Sequence, residues 1–411
     1  MTKRHLLLIL LIAIAVLSSC TTSTPVQETV AKKESGQLAF PPKPDEPHYY
    51  FERMIRGNLD ILPDDDDGLL KRALTGEKRK AIGFVKPYAI AVRHGRIYVG
   101  DAPRRSVMVF DIPAQKFSQI GVEEDDDGHG KLARPMGLDI DKAGNLYVLD
   151  ASLHQVMVYS EDGKFLRSFG DSTLLYKPAG LAVTPDGTRV YAVDIGGSSS
   201  DEHKVVVFDG ITGKFLHNLG HRGTGPGEFN LPRDVTIAPD GSIYVVDGGN
   251  FRVQKFNKDE KYLSSFGALG RQSGQFSRPK EAAVDSSGNV YVVDAAFGNF
   301  QIFNPEGKLL LAIGSRSNTN GPALYSLPAG IAIDDDGRIY VVDQYFTKVD
   351  VFRPIDTPED GGWIGKFSKK ADDIYKDSTK QSKAEANIDT STTTSPSSST
   401  SGSAIPTENA K

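Results

Sequence analysis

The 411-residue sequence holds one cysteine, one tryptophan and five methionines. A single thiol excludes an intramolecular disulfide and any zinc site built on two cysteine ligands. A basic excess is missing as well. Lys and Arg number 48 against 53 Asp and Glu, a formal net charge of −5, so no global positive field attracts nucleic acid, and none is expected as a partner. The longest apolar run, Leu6 to Leu17, falls short of the roughly 20 residues that span a bilayer as a helix, which excludes a multi-spanning membrane protein. What is present is globular in character: 39% hydrophobic residues, 25% charged, and 41 glycines, a composition at odds with wholesale disorder or collagen.

The apolar run sits between Lys3-Arg4 and Leu17-Ser18-Ser19-Cys20. A basic start, a short apolar stretch and small residues, in that order, describe a signal peptide over residues 1–19. Its end resembles the lipobox of bacterial lipoproteins. That resemblance implies that the Cys20 thiol receives a diacylglyceryl group, that cleavage frees its amine, and that a further acyl chain follows, enough for stable anchoring. Thr21 stands where inner-membrane retention in enteric bacteria would require Asp, which points to the outer membrane. The expected location is therefore the bacterial cell envelope, lipid-anchored, facing the periplasm or the surface. Losing Lys3 and Arg4 on cleavage takes the formal charge from −5 to −7.

Residues 20–46 read as a flexible tether behind the lipidated cysteine, stiffened near its end by Pro41, Pro42, Pro44 and Pro47. Residues 368–411 are dominated by Ser, Thr, Lys and Asp and read as a disordered tail, since they cannot bury enough surface to offset their ordering entropy. The propeller described next is expected over residues 47–367, with an insert at 58–80. Within that insert Leu69, Leu70, Ala73 and Leu74 give a short helix one apolar side.

Between tether and tail the chain repeats. An apolar run ending in Asp occurs six times, closing at Asp101, Asp150, Asp194, Asp247, Asp294 and Asp343, with separations of 49, 44, 53, 47 and 49 residues. Each is preceded 14 to 16 residues upstream by a proline: Pro87, Pro135, Pro178, Pro232, Pro279 and Pro328. One unit shows the pattern. Pro135 to Ile140 is a first strand, Asp141 to Gly144 a tight turn, and Leu146 to Asp150 a second strand. Val156 to Tyr159 and Lys164 to Phe169 complete it. The second strands are apolar at consecutive rather than alternate positions, as sheets buried on both faces require. Four short strands in a unit of 40 to 50 residues predict an all-β fold, a six-bladed β-propeller of four-stranded antiparallel blades. The last unit lacks its fourth strand. Tyr49 to Ile55 (YYFERMI) matches the fourth-strand pattern, so the ring is expected to close with this N-terminal strand, the competing candidate being Trp363 to Phe367.

Pro-x-Gly-hydrophobic-Ala (Pro178 to Ala182), Asp-Gly-x-hydrophobic-Tyr-Val-x-Asp (Asp240 to Asp247) and Arg-Val-x-x-Phe (Arg252 to Phe256) resemble the NHL repeat. Gly223 to Pro232 looks like that family's inter-blade linker, and the similarity covers residues 81–353. The family fold is a six-bladed propeller; its activities are diverse, so the fold alone assigns none. Two repeats depart from the pattern, with Asp234 and Glu281 where Gly137 stands in another. One NHL-like relative, the peptidyl-hydroxyglycine amidating lyase, binds zinc through histidines that follow the strand-one proline. Here those positions are Tyr88, Met136, Ala179, Arg233, Lys280 and Ala329. The histidines from His48 to His221 read as exposed loop residues, and no catalytic residue, metal or cofactor is expected.

The acidic runs Asp64 to Asp67, Glu123 to Asp127 and Asp334 to Asp336 match no EF-hand loop. Asp334 to Gly337 repeats the turn of Asp141 to Gly144. The six strand-ending aspartates are expected to satisfy backbone amides at blade corners. A less ordinary pattern borders the strand-one prolines. Lys86, Arg134, Lys177, Arg233, Arg278 and Lys280 give five of the six blades a basic neighbour, and in a propeller they arc around one channel mouth. Asp234 and Glu281, one residue deeper, are expected to neutralise Arg233 and Lys280. The sequence therefore reads as a membrane-anchored scaffold with a protein or anionic ligand on one propeller face; the alternative is a propeller hydrolase or lyase.

Overall fold

Every second strand is apolar at consecutive positions because it feeds two interfaces at once. In the computed structural model, which describes residues 37–63, 80–197 and 200–367, Ile339 and Val341 pack toward one neighbouring sheet while Tyr340 and Val342 pack toward the other. Six such apolar clusters occur, one between each pair of consecutive blades. Their side chains are nearly all fully buried, each contributing roughly 1.5–3 kcal/mol relative to exposure.

The six blades are antiparallel sheets. The first comprises Pro87–Arg93, Arg96–Asp101, Ser106–Asp111 and Lys116–Ile120. The second comprises Pro135–Ile140, Leu146–Asp150, Gln155–Tyr159 and Phe165–Phe169, within a residue of the strands expected from sequence. Blades three to five begin at Pro178–Val183, Asp234–Ile237 and Pro279–Val284 and repeat the order. The first strands of successive blades lie side by side around the axis, and Pro328–Ile333 of the sixth blade returns to Pro87–Arg93.

The ring closes as expected. Tyr49–Ile55 pairs antiparallel with Lys348–Pro354 and supplies the sixth blade's outer strand. Ala39–Phe40 then pairs with Tyr49 and Tyr50, so the sheet reaches into the stretch expected as tether. Trp363 to Phe367 forms no strand: Gly365–Phe367 is a 3-10 turn, and Ile364 is buried between the sixth and first blades. The seam carries a buried ion pair. At the bulge between Phe51 and Arg53, Glu52 accepts Arg338 Nε at 2.6 Å and Nη2 at 3.0 Å, and Arg338 also donates to the Gly361 carbonyl at 2.9 Å. The expected signal peptide, Cys20, the helix expected over 69–74 and the expected 368–411 tail lie outside the described residues.

The strand-ending aspartates do what their repetition implied. Asp150 accepts Ala133 N and Arg134 N through one oxygen, each at 2.7 Å, and Ser152 N and Leu153 N through the other, at 2.9 and 3.0 Å. Asp294 and Asp343 repeat all four contacts, and Asp101, Asp194 and Asp247 repeat part of the set. All six are 0–1% exposed.

A second repeated contact holds the linker that leads into three blades. Gln254 accepts Gly227 N at 2.9 Å and donates to Glu228 O at 2.6 Å; Gln301 treats Gly274 and Gln275 likewise, at 2.8 Å each. The sixth blade has Asp350 at this position. Its carboxylate accepts Ala323 N at 3.0 Å, while Lys348 Nζ donates to Gly321 O at 2.6 Å and to Asp350 at 2.7 Å. A buried ion pair there divides the work of one amide. Lys348→Met should cost about 3–5 kcal/mol by stripping a buried carboxylate of its cation. Lys348→Met combined with Asp350→Gln should recover most of that loss in urea unfolding, because a glutamine restores donor and acceptor together.

Candidate functional site

The propeller axis is lined by the first strands, and their proline ends carry the six basic residues singled out from sequence. Lys86, Arg134, Lys177 and Arg278 are exposed, while Arg233 and Lys280 are half-buried. Lys86, Arg134, Lys177 and Arg278 each follow a residue bound, or are themselves bound, through backbone N–H by a strand-ending aspartate, so the clamps fix where these side chains start. Arg233 and Arg278 act electrostatically on Lys280 and also on Tyr88 of the first blade. Among the described residues no hydrogen bond or ion pair engages the side chains of the six basic residues. Burial, with Arg278 and Arg233 beside it, brings the Lys280 ammonium down to about 8. Burial pushes the Tyr88 phenol up to about 12.

Deeper in the channel the two departures from the repeat pattern meet. The second residue after the strand-one proline is Gly or Ala in four blades and Asp234 and Glu281 in the fourth and fifth. Gly180 makes room for Asp234: a Cβ there would overlap both its carboxylate and its main chain. Each acid crosses to a neighbouring blade, Asp234 accepting Ala282 N at 2.9 Å and Glu281 accepting Ile331 N at 3.3 Å. Asp139, two positions further along its own strand, likewise accepts Val183 N at 2.8 Å. These acids stitch adjacent first strands together around the channel.

Neutralisation of the basic mouth does not follow. Burial drives both Asp234 and Glu281 upward and their mutual repulsion raises Glu281 further, so protons rather than Arg233 and Lys280 offset their charge near neutral pH. Burial also lifts Asp139, to about 6. The mouth stays cationic above Asp234 and Glu281, which hold their protons near neutral pH, while Asp139 further along is ionised there.

Past the acids the channel widens into a cavity of about 580 Å³, open toward the tight-turn end and lined by Asp139, Asp234 and Glu281 along with His94, Asp334 and Asp335. Asp334 occupies the turn expected of it and also accepts His94 N at 2.9 Å and Gly95 N at 2.6 Å from the first blade. Trp363 lies over the His94 ring at 4.4 Å and donates Nε1–H to Asp335 at 2.6 Å. Not all the histidines are exposed loop residues. His203 is fully buried, its Nδ1 accepting Leu231 N and its Nε2–H donating to Gly197 O, both at 3.2 Å, because the loop before it folds back on the next linker. Among the described residues no three His, Cys, Asp or Glu side chains are grouped as a metal ion would need. Cys20 lies outside the described residues.

A family profile described as NHL repeat matches residues 229–256, within the fourth blade and the linker that enters it. NHL repeat-containing protein 3 of Homo sapiens is 32% identical over 115 residues, 26% of this chain and 32% of that protein. The chain is thus a six-bladed propeller that carries an NHL repeat in its fourth blade. Peptidylglycine alpha-amidating monooxygenase of Rattus norvegicus is 33% identical over 141 residues, 31% of this chain and 14% of the monooxygenase. The match thus spans less than a third of either relative. Among solved structures, a Bacteroides thetaiotaomicron protein of unknown function superposes with a TM-score of 0.53 at 16% identity, covering 74% of this chain and 76% of that one. A gluconolactonase from Xanthomonas campestris gives 0.50 at 12% identity, covering 75% and 99%. These two likenesses establish the propeller fold.

Sequence reasoning passed over Tyr88 and Asp139. For Asp139 a signal was present: the fourth residue after the strand-one proline is alanine in four blades, threonine in one and aspartate only here. An acid whose folded pKa is raised from 3.8 to about 6 holds its proton longer folded than unfolded. Its contribution to stability therefore declines as pH rises across that interval, by up to roughly 3 kcal/mol, and is level above it. Asp139→Asn, which resembles the protonated acid, should become progressively more stable than the parent between pH 4 and 6 and keep that advantage at pH 7. Urea midpoints measured in parallel would check the difference; a gap that is constant with pH would contradict a raised Asp139.

Proposed function

We propose that this NHL-repeat protein is a lipid-anchored binding scaffold of the cell envelope that takes an anionic ligand, or an acidic segment of a partner protein, at the basic channel mouth. The observation that carries this reading is the convergence of Arg233, Arg278 and Lys280 without a counter-charge among the described residues. Like charges held together and partly desolvated raise the energy of the free protein, and a bound anion removes that penalty. The clamps that fix the neighbouring backbone make the site pre-organised, so little ordering entropy is lost on binding. Protonated Asp234 and Glu281 below the mouth avoid repelling the anion.

A second reading, a propeller hydrolase or lyase, is favoured by the stretch shared with the amidating monooxygenase. Stoichiometric zinc or calcium in the purified protein would support it.

Charge reversal at Arg233 and Lys280 (Arg233→Glu with Lys280→Glu) should weaken capture of an oligoglutamate peptide at least tenfold, an estimate of about 1.4 kcal/mol or more, and flatten its salt dependence. Unaltered capture would remove the mouth from consideration. Anchoring is tested separately: Cys20→Ala should abolish lipid labelling and move the protein from the membrane fraction to the soluble one. Continued membrane association with normal processing would exclude the anchor.

A further inference from the structure

Lys280 occupies a poor place for a charge. It lies half-buried in the bulge that separates Pro279 from Ala282, with Arg278 two residues before it and Arg233 on the adjacent blade. Its ammonium has no hydrogen bond or ion pair among the described residues, and the neighbouring Glu281 turns its carboxyl toward the main chain of the sixth blade. An anchoring lysine would ordinarily be paired, as Lys348 is. An amine that is desolvated, unpaired and flanked by two guanidinium groups is instead arranged as a nucleophile.

We propose that Lys280 is a reactive amine that captures small anionic carbonyl compounds, aldehyde acids or α-keto acids, as a reversible imine while Arg233 and Arg278 hold the carboxylate. The proposal rests on the anion-binding reading of the mouth and names its ligand class. Guanidinium groups suit a planar carboxylate, which they engage through paired N–H donors. With its pKa near 8, about a tenth of Lys280 is free base at pH 7, against roughly one part in two thousand for an ordinary lysine.

The chemistry balances without a co-reactant. The nitrogen lone pair forms the C–N bond as the carbonyl π pair moves onto oxygen; nitrogen sheds one proton and oxygen gains one, giving a carbinolamine. Loss of that hydroxyl as water, with a second proton leaving nitrogen, gives the imine. No electrons are exchanged. Tyr88 keeps its proton at neutral pH and is available to donate a hydrogen bond at the mouth.

The full chain in detergent, incubated at pH 7 with glyoxylate and sodium cyanoborohydride, should acquire one carboxymethyl group on Lys280. Peptide mass mapping should find it at least about tenfold ahead of the exposed Lys86 and Lys177. Lys280→Arg keeps the charge and should remove the adduct. Arg233→Gln with Arg278→Gln should slow the reaction, and inorganic phosphate should protect against it. Labelling spread evenly over the exposed lysines overturns the reactive amine. Binding of phosphate with no adduct on Lys280 overturns the imine and leaves the anion site standing. An adduct formed equally fast from propanal and insensitive to phosphate overturns the anion site, and with it the ligand class.

Discussion

The fold depends on a carboxylate that ends each blade's second strand and holds the backbone of the incoming linker. A propeller returns its chain from the rim to the axis at every blade, and each return leaves main-chain N–H groups at the start of a first strand without a sheet partner. Buried without an acceptor, each such group would cost about 1–3 kcal/mol. Asp150 settles two on the linker and two on the following turn with one side chain, and the same solution recurs around the ring. Hydrogen bonds to an ionised acceptor are about twice as strong as neutral ones, which explains why a charged residue is tolerated at 0–1% exposure. The proline that follows the clamped residues removes one further N–H from the count.

The ring tolerates different chemistries for one task provided every polar atom is answered. Gln254 and Gln301 satisfy a linker with one amide, whereas Lys348 and Asp350 satisfy the corresponding linker with two charges. The sixth blade also contains the seam between the N-terminal strand and the rest of its sheet, and there the Glu52–Arg338 pair is likewise fully enclosed. A buried pair is no more stabilising than well-packed apolar residues would be, but it admits only one register. Glu52 sits in the bulge that aligns Tyr49–Ile55 with Lys348–Pro354, so a slipped closing strand would bury a carboxylate away from its cation.

Much of this architecture could be read from the chain because it is repeated. Six copies of an apolar run ending in Asp fixed the blade count, and the missing sixth outer strand pointed to Tyr49–Ile55. The role of the aspartates followed from their number, since a catalytic group has no reason to occur in every blade. What repetition cannot reveal is the environment of a residue that occurs once. Asp234 and Glu281 stood out as departures, yet their spacing from Arg233 and Lys280 implied charge pairing. The structure turns them toward neighbouring backbone N–H groups in a crowded channel, where desolvation outweighs attraction. Ala39–Phe40 was hidden for the opposite reason: a two-residue strand among prolines has too little pattern to detect.

Stitching and the proposed binding site are linked through the same first strands. Closing the channel from within requires acceptors for N–H groups on the axis, and acids supply them in three blades, Asp139, Asp234 and Glu281. Ionised, they would repel one another and present a negative lumen to any anion at the mouth. Their crowding limits this, because desolvation keeps protons on Asp234 and Glu281 and leaves the nearby cations uncompensated, with Asp139 alone ionised at neutral pH. The basic mouth is therefore a consequence of how the interior is sealed as much as of the residues that form it. The proposed anion binding therefore depends on Asp234 and Glu281 staying uncharged as well as on Arg233, Arg278 and Lys280, and amides in place of the two acids would preserve it.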